Sequence, residues 1–310
     1  MEFTGERYVP ATPGIEDLYL EHMSRYVYAS AAALDRHVLD VGCGCGYGAH
    51  YLAVHGASGV LGIDPAEEAV RFASEHYRHP VLRFALMDAH RLALREAFDL
   101  VTCFEMIEHV EDAEEVLAQM AGVMAEDGLL LVSTPNRAVY RSDRQAPNPF
   151  HVREYTRREF EHLLATRFAW FSVLDQQWAE GVAIGAAGTV GGELKASLVS
   201  DDGSGSGALA LEAEPPYFLA VCAKSVDAAD KAQALGSLAL VCGSVRYRAL
   251  KNHLANLERE FDKRGRWAKA LDREVRRRDE TIKRLQAELA ASQGCGDSDR
   301  DKVPSADPAV

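Results

Sequence analysis

The chain has 310 residues, 47% hydrophobic and 26% charged, with 34 basic against 47 acidic side chains and a formal net charge of −13. That length carries one large or two modest domains with a true core, and the acidic balance disfavours a role coating nucleic acid. No apolar run approaches the roughly 18–20 residues of a membrane span, and Met1-Glu2-Phe3-Thr4-Gly5-Glu6-Arg7 has neither the basic nor the apolar region of a secretory leader.

The charge divides the chain. Residues 1–243 hold 18 basic and 35 acidic side chains, whereas residues 244–293 hold 14 basic and 8 acidic and no proline. Six cysteines, at 43, 45, 103, 222, 242 and 295, form no Cys-x-x-Cys pair and read as reduced thiols of a cytoplasmic protein.

In chain order, short β-rich runs alternate with helical patterns. Runs at 37–41, 59–64, 81–86, 98–103 and 128–133 read as strands, and stretches near 47–56, 65–78 and 111–124 as helices. This alternation predicts an α/β fold with a parallel sheet covered on both faces. Two more strands are expected at 170–174 and 217–222, separated by a Gly-, Ala- and Ser-rich flexible insertion at 179–214. Residues 226–243 read as a linker. From Leu250 to Leu289, apolar residues recur in steps of four and three, interrupted by Arg264 and Arg278, which predicts a coiled coil over 244–293. Residues 294–310 read as a disordered tail.

The densest local signal is Val38-Leu39-Asp40-Val41-Gly42-Cys43-Gly44-Cys45-Gly46-Tyr47-Gly48, a strand running straight into Gly-x-Gly-x-Gly. Glycines here let the backbone turn sharply and approach a ligand closely, though such a loop alone serves several nucleoside classes. Asp64 ends the second strand, where a carboxylate can accept from both ribose hydroxyls, and Asp88 follows the third, where one can accept from an adenine amino group. After the fourth strand, Glu105, Glu108 and His109 stand three and four apart and are expected on one side of a helical turn. With His151 they form a set of two carboxylates and two imidazoles able to hold a divalent ion.

Over about residues 1–225 the sequence resembles the class I S-adenosylmethionine-dependent methyltransferases. The resemblance implies a Rossmann-like seven-stranded sheet with its last strand antiparallel. It passes Gly42, Gly44 and Gly46 around the methionine portion of the donor with Asp40 behind them. It assigns Asp64 to the ribose, Asp88 and Ala89 to the adenine, Phe104 to the neighbourhood of the sulfonium and Arg25 to the donor's carboxylate. Glu-x-x-Glu-His resembles the metal motif of ubiquinone-pathway O-methyltransferases. With Ser133-Thr134-Pro135-Asn136 and Thr156-Arg157-Arg158-Glu159-Phe160 it is also similar to small-RNA 2′-O-methyltransferases. By that resemblance Glu105, Glu108, His109 and His151 are expected to hold Mg2+ or Mn2+ on a vicinal diol, or His109 or His151 to act as general base.

The acidic catalytic part argues against RNA as the acceptor and leaves a sugar or a catechol. Phe3-Thr4-Gly5-Glu6-Arg7-Tyr8-Val9-Pro10 and Asn148-Pro149-Phe150-His151 resemble a bacterial methyltransferase subgroup associated with surface-polysaccharide assembly. That implies a glycan or lipid-linked saccharide as acceptor, with a quinone or other small catechol as the second choice. The coiled coil suits a homo-oligomer or an assembly with glycosyltransferases at the inner membrane face. A scaffold with a degenerate cofactor domain is the non-enzymatic alternative.

Overall fold

The computed structural model describes residues 16–95, 97–140, 148–178, 182–186, 193–200, 203–210, 214–225, 228–233, 235, 238–240, 271, 275–279 and 281–286. The strands are β1 (His37–Val41), β2 (Gly59–Asp64), β3 (Leu82–Leu86), β4 (Phe98–Cys103), β5 (Met124–Pro135), β6 (Trp170–Trp178), β7 (Val182–Ala186), β8 (Glu193–Ser200), β9 (Gly203–Ala210), β10 (Tyr217–Ala223) and β11 (Leu238–Leu240). Around them run α1 (Glu16–Ala33), α2 (Tyr47–Val54), α3 (Glu67–His76), α4 (Ala113–Val123), α5 (Arg137–Tyr140), α6 (Arg157–Ala165) and α7 (Ala229–Gln233).

The central strands are mostly buried and apolar because both faces are covered, with Asp40 and Thr102 as buried polar exceptions that bond each other. Leu39, Val41, Val101, Leu130 and Val132 point into a cluster completed by Val116, Leu117 and Met120 of α4 and Phe160 and Leu164 of α6. The alternate residues Val38, Val60, Leu100, Leu129 and Leu131 point the other way, against Ala29 and Ala33 of α1 and Ala49 and Leu52 of α2. A period of two thus divides one hydrophobic run between two cores.

The sheet order is β3-β2-β1-β4-β5-β10-β6-β7-β11-β8-β9. Strands β3, β2, β1, β4 and β5 pair in parallel, and β10 enters antiparallel between β5 and β6. The order reverses at β1, which extends on one side to β2 and on the other to β4. Ligands collect at the carboxyl ends of strands beside such a reversal.

Three expectations change here. The seven strands read from sequence are present, but among the described residues the sheet has eleven. Part of the expected flexible insertion forms β7, β8 and β9, with β7 hydrogen-bonded to β6 and β8 to β9. Small residues hid this, because Gly-Ser-Gly-Ser-Gly in β9 carries no hydrophobic alternation. The expected linker likewise contains α7 and β11, the latter pairing with both β7 and β8.

The chain divides into two units, Met1–Ser244 and Val245–Val310. Of the expected coiled coil, residues 271, 275–279 and 281–286 are helical, and its seam residues Leu271, Val275, Ile282 and Leu285 are about half exposed, from 48% to 54%. The rest of that segment and the tail at 294–310 lie outside the described residues. Among the described residues no helix is long and apolar enough to cross a membrane. Cys43, Cys45, Cys103 and Cys222 are buried and form no disulfide among the described residues.

Candidate active site

The site begins with a backbone constraint at the end of β1. Gly42, Gly44 and Gly46 take φ values of +72°, +54° and +85°, the left-handed region that side chains with a Cβ rarely enter. Gly46 is doubly required, since an added Cβ would sit 2.6 Å from Ala73 Cβ and 2.7 Å from the Phe84 ring. The bend is clamped from β2: the amides of Gly42 and Cys43 both donate to the Ile63 carbonyl at 2.9 Å. Asp64 adds a side-chain clamp, accepting from the Gly44 amide at 3.0 Å and the Ala66 amide at 2.9 Å.

Above the bend lies a cleft of about 370 Å³, bordered by Gly42, Gly44, Asp64, Phe104, Glu105 and His109 among others. A second cavity of about 260 Å³ shares Gly42, Pro65 and Met106 with it and reaches Asp88, Ala89 and His90. The structure therefore brings Gly42, Gly44, Asp64 and Phe104 to one cleft and Asp88 and Ala89 to its neighbour. Asp40 lies behind the loop, buried, accepting from Thr102 Oγ1 at 2.7 Å and from Tyr26 Oη at 3.2 and 3.3 Å. Tyr26 reaches it across Gly48, where any Cβ would lie within 1.9 Å of the ring. Tyr26 also meets Phe104 edge-on at 5.1 Å, so one aromatic pair walls the cleft.

Arg25 is completely buried, an uncommon state for a guanidinium. Its Nε donates to Gln176 Oε1 at 2.6 Å, and Nη2 lies 3.5 Å from Glu105 Oε1. Among the described residues neither Nη1 nor Nη2 makes a hydrogen bond, Glu105 facing Nη2 as an ion pair only, so an anion that reached them would meet charged donors. These orphaned nitrogens, the glycine bend and the two joined cavities fit a donor with a carboxylate at one end and a nucleoside at the other. Nearby, His22 lines the cleft and bonds Tyr47 Oη at 2.7 Å through Nδ1. Burial, helped by the Arg25 charge, pushes its imidazole down to about 3, so it is neutral.

The Glu-x-x-Glu-His run departs from the expected geometry. Its helical turn is a single 3₁₀ turn over Ile107–His109, and Glu105 stands before it with φ +51°. That left-handed backbone turns Glu105 back toward Ser133, whose Oγ accepts from its amide at 3.1 Å and donates to its Oε1 at 2.7 Å. The three residues that do converge are Glu108, His109 and His151, one ligating atom of each lying within 4.8 Å of the others. Glu105 is outside this group, paired with Arg25 instead.

Each member of the trio is oriented by a neighbour. The Phe150 carbonyl, 2.9 Å from His109 Nδ1, can only accept, so Nδ1 carries the proton and Nε2 the lone pair. His151 Nδ1 donates to Glu154 Oε1 at 3.0 Å, and Asn148 Nδ2 donates to its Nε2 at 3.1 Å. Glu108 is fully buried; Thr134 Oγ1 donates to Oε2 at 3.2 Å, but Oε1 has no hydrogen-bond partner among the described residues. Burial, then the neighbouring Glu105 charge, holds its carboxyl well above the usual range. Glu154 and the oriented Asn148 had no assigned role in the sequence, although the His-x-x-Glu spacing of 151 and 154 was readable. Thr156-Arg157-Arg158-Glu159, part of the resemblance to RNA-modifying enzymes, is a capping box at the start of α6.

A profile of the Methyltransferase domain family matches residues 39–132. A probable S-adenosylmethionine-dependent methyltransferase of Mycobacterium tuberculosis is 36% identical over 166 residues, which are 53% of this chain and 60% of that protein. One from Mycolicibacterium smegmatis is 34% identical over 177 residues, 56% of this chain and 67% of that protein. A ubiquinone biosynthesis O-methyltransferase of Coxiella burnetii is 34% identical over 116 residues, 36% of this chain and 49% of that one. Among solved structures, the YcgJ protein of Bacillus subtilis is 17% identical with a TM-score of 0.47, covering 66% of this chain and 99% of that one.

Asp40 yields a pH-dependent prediction. Burial, reinforced by the charge of Asp64, raises its carboxyl to about 7 against the lowering effect of the Thr102 and Tyr26 hydroxyls. A carboxyl held above its unfolded value of roughly 4 contributes most to stability at low pH, and that contribution is lost as pH rises toward 7. Asp40→Asn, which cannot ionise, should gain in Tm relative to the parent by at least about 2 °C between pH 5 and pH 8. A Tm difference that stays constant across that range would contradict the assignment.

Proposed function

Because the chain belongs to the S-adenosylmethionine-dependent methyltransferases, we propose that it transfers a methyl group to one hydroxyl of a vicinal diol, most simply a sugar of a surface glycan or lipid-linked saccharide. The observation that carries this reading is Glu108 Oε1, a buried carboxylate oxygen without a hydrogen-bond partner among the described residues, grouped with two imidazoles. Isolated burial of that oxygen is costly, and a divalent cation such as Mg2+ or Mn2+ satisfies it. Both imidazoles present the arrangement of metal-ligating histidines, with Nδ1 given to a carbonyl or a carboxylate. For His151 to serve as a ligand through Nε2, the Asn148 amide must yield that nitrogen.

The donor, when bound, supplies a methyl group on a positively charged sulfur, ready for in-line attack. A cation supplies the charge that makes a neutral hydroxyl acidic near pH 7. In this reading Arg25 takes the donor's carboxylate, the bend from Gly42 to Gly46 admits its amino-acid portion, and Asp64 and Asp88 take the nucleoside. Ala89 lies under the adenine, while Tyr26 and Phe104 keep water from the reacting carbon. Glu108, His109 and His151 hold the cation, and with no cation His109 Nε2, at the cleft wall, receives the hydroxyl proton. Rigid placement of the two oxygens of the diol then provides most of the acceleration.

A catechol is the second reading. Its support is the likeness to the ubiquinone biosynthesis O-methyltransferase, since a catechol offers the same pair of adjacent oxygens. Transfer of labelled methyl to a panel of nucleotide sugars, glycans and catechols separates the two. With any accepted substrate, a chelator or Glu108→Gln should lower turnover by about 100-fold or more, leaving S-adenosylhomocysteine affinity within about twofold. Full turnover in metal-free protein would remove the metal and leave His109 as the base.

The apolar seam at Leu271, Val275, Ile282 and Leu285 supports a coiled coil with a second copy of the chain. Light scattering on the full chain should give a dimer or larger, and Val275→Glu with Ile282→Glu a monomer. A monomeric parent chain would contradict it.

A further inference from the structure

The second cavity is an apolar slot. Val41, Ile63, Met87, Met106 and Val110 line it, and Asp88 and His90 stand at its rim. Asp88 is exposed, yet its carboxylate does not hang loose. Oδ1 accepts both from the His90 amide at 2.9 Å and from His90 Nδ1 at 2.8 Å. The carboxylate can only accept, so the imidazole carries its proton on Nδ1. The same turn is closed by the Arg91 amide donating to the Asp88 carbonyl at 3.0 Å. These two bonds from one residue hold Asp88's carboxyl below its usual range, led by the backbone bond. Oδ2 accepts no hydrogen bond from the described residues.

We infer that His90 is a positioning residue for base selection: by holding Asp88 Oδ1 it aims Oδ2 at the amino group of an adenine in the slot, and so makes the protein discriminate adenosyl from inosyl compounds. The inference rests on the proposed S-adenosyl donor and on the nucleoside end of that donor entering this slot.

The physics is a matter of one unsatisfied group. A planar purine fills an apolar slot whatever its 6-substituent, so the slot alone binds adenine and hypoxanthine comparably. A fixed acceptor changes that. An amino group donates to Oδ2, whereas the 6-carbonyl of hypoxanthine meets it lone pair to lone pair. An exposed, freely rotating carboxylate could swing away from the carbonyl and would discriminate weakly. With Oδ1 held by two donors, rotation about the Cβ–Cγ bond breaks both bonds, so the carboxylate cannot escape cheaply. The backbone donor survives any substitution at 90; the imidazole donor does not.

The test is calorimetric titration of the full chain with S-adenosylhomocysteine and with S-inosylhomocysteine, using the parent, His90→Leu, His90→Asn and Asp88→Ala. The parent should prefer the adenosyl compound by about 10-fold or more. His90→Leu should lose most of that preference through weaker adenosyl binding. His90→Asn should restore it, because its side-chain amide can donate from nearly the place of Nδ1. A change that merely loosened the turn would weaken both compounds alike, and Asn would not restore the difference. Undiminished preference in His90→Leu, while Asp88→Ala abolishes it, would overturn the role of His90 and leave the donor site standing. Undiminished preference in Asp88→Ala would overturn the proposal at its root, as would failure of the parent to bind either compound, which would also overturn the proposed donor.

Discussion

Everything at this site depends on a left-handed backbone at the tip of β1. Three residues at positive φ between Val41 and Tyr47 turn the chain tightly enough that α2 starts immediately after the bend. The turn is held by β2 rather than by itself: two amides share the Ile63 carbonyl, and Asp64 reaches across to the Gly44 amide. Asp64 therefore has a structural task as well as the ribose assignment implied by family resemblance. Its carboxylate is oriented by the loop it supports, so ligand-facing geometry and loop geometry are one constraint.

Around this bend the protein gathers buried charge that its own groups do not fully satisfy. Among the described residues, Arg25 lies buried with two nitrogens that make no hydrogen bond, and Glu108 lies buried with one oxygen lacking a donor. Such groups cost stability in an isolated fold and concentrate where a ligand completes the hydrogen bonding. Glu105 lies between them, held in a left-handed conformation by its reciprocal bonds with Ser133. It faces Arg25 on one side while its charge also raises the Glu108 carboxyl, so it couples the two halves of the cleft.

Much of this was legible in the sequence. The alternation of strand and helix, the glycine bend and the aspartates at successive strand ends each follow from local patterns, because parallel strands buried on both faces leave uninterrupted apolar runs. The strands β7, β8 and β9 did not, since stretches rich in glycine, alanine and serine give little periodicity, and they form by pairing with β6, with β11 and with each other. The expected grouping of Glu105 with Glu108 and His109 assumed a regular helical turn, whereas a positive φ at Glu105 reverses its side chain. The partners of His151 and Asp88 were hidden for another reason: Glu154 and His90 sit three and two residues away, but only the folded loops decide which neighbour a side chain meets.

The most direct measurement of the central claim is equilibrium dialysis of labelled S-adenosylmethionine against the full chain and its Asp64→Ala variant. The account predicts saturable uptake at one site per chain, weakened by about tenfold or more when the carboxylate that grips the loop, and in the proposed reading the ribose, is removed. No saturable uptake with or without divalent cations, or equal affinity in the two proteins, would contradict it.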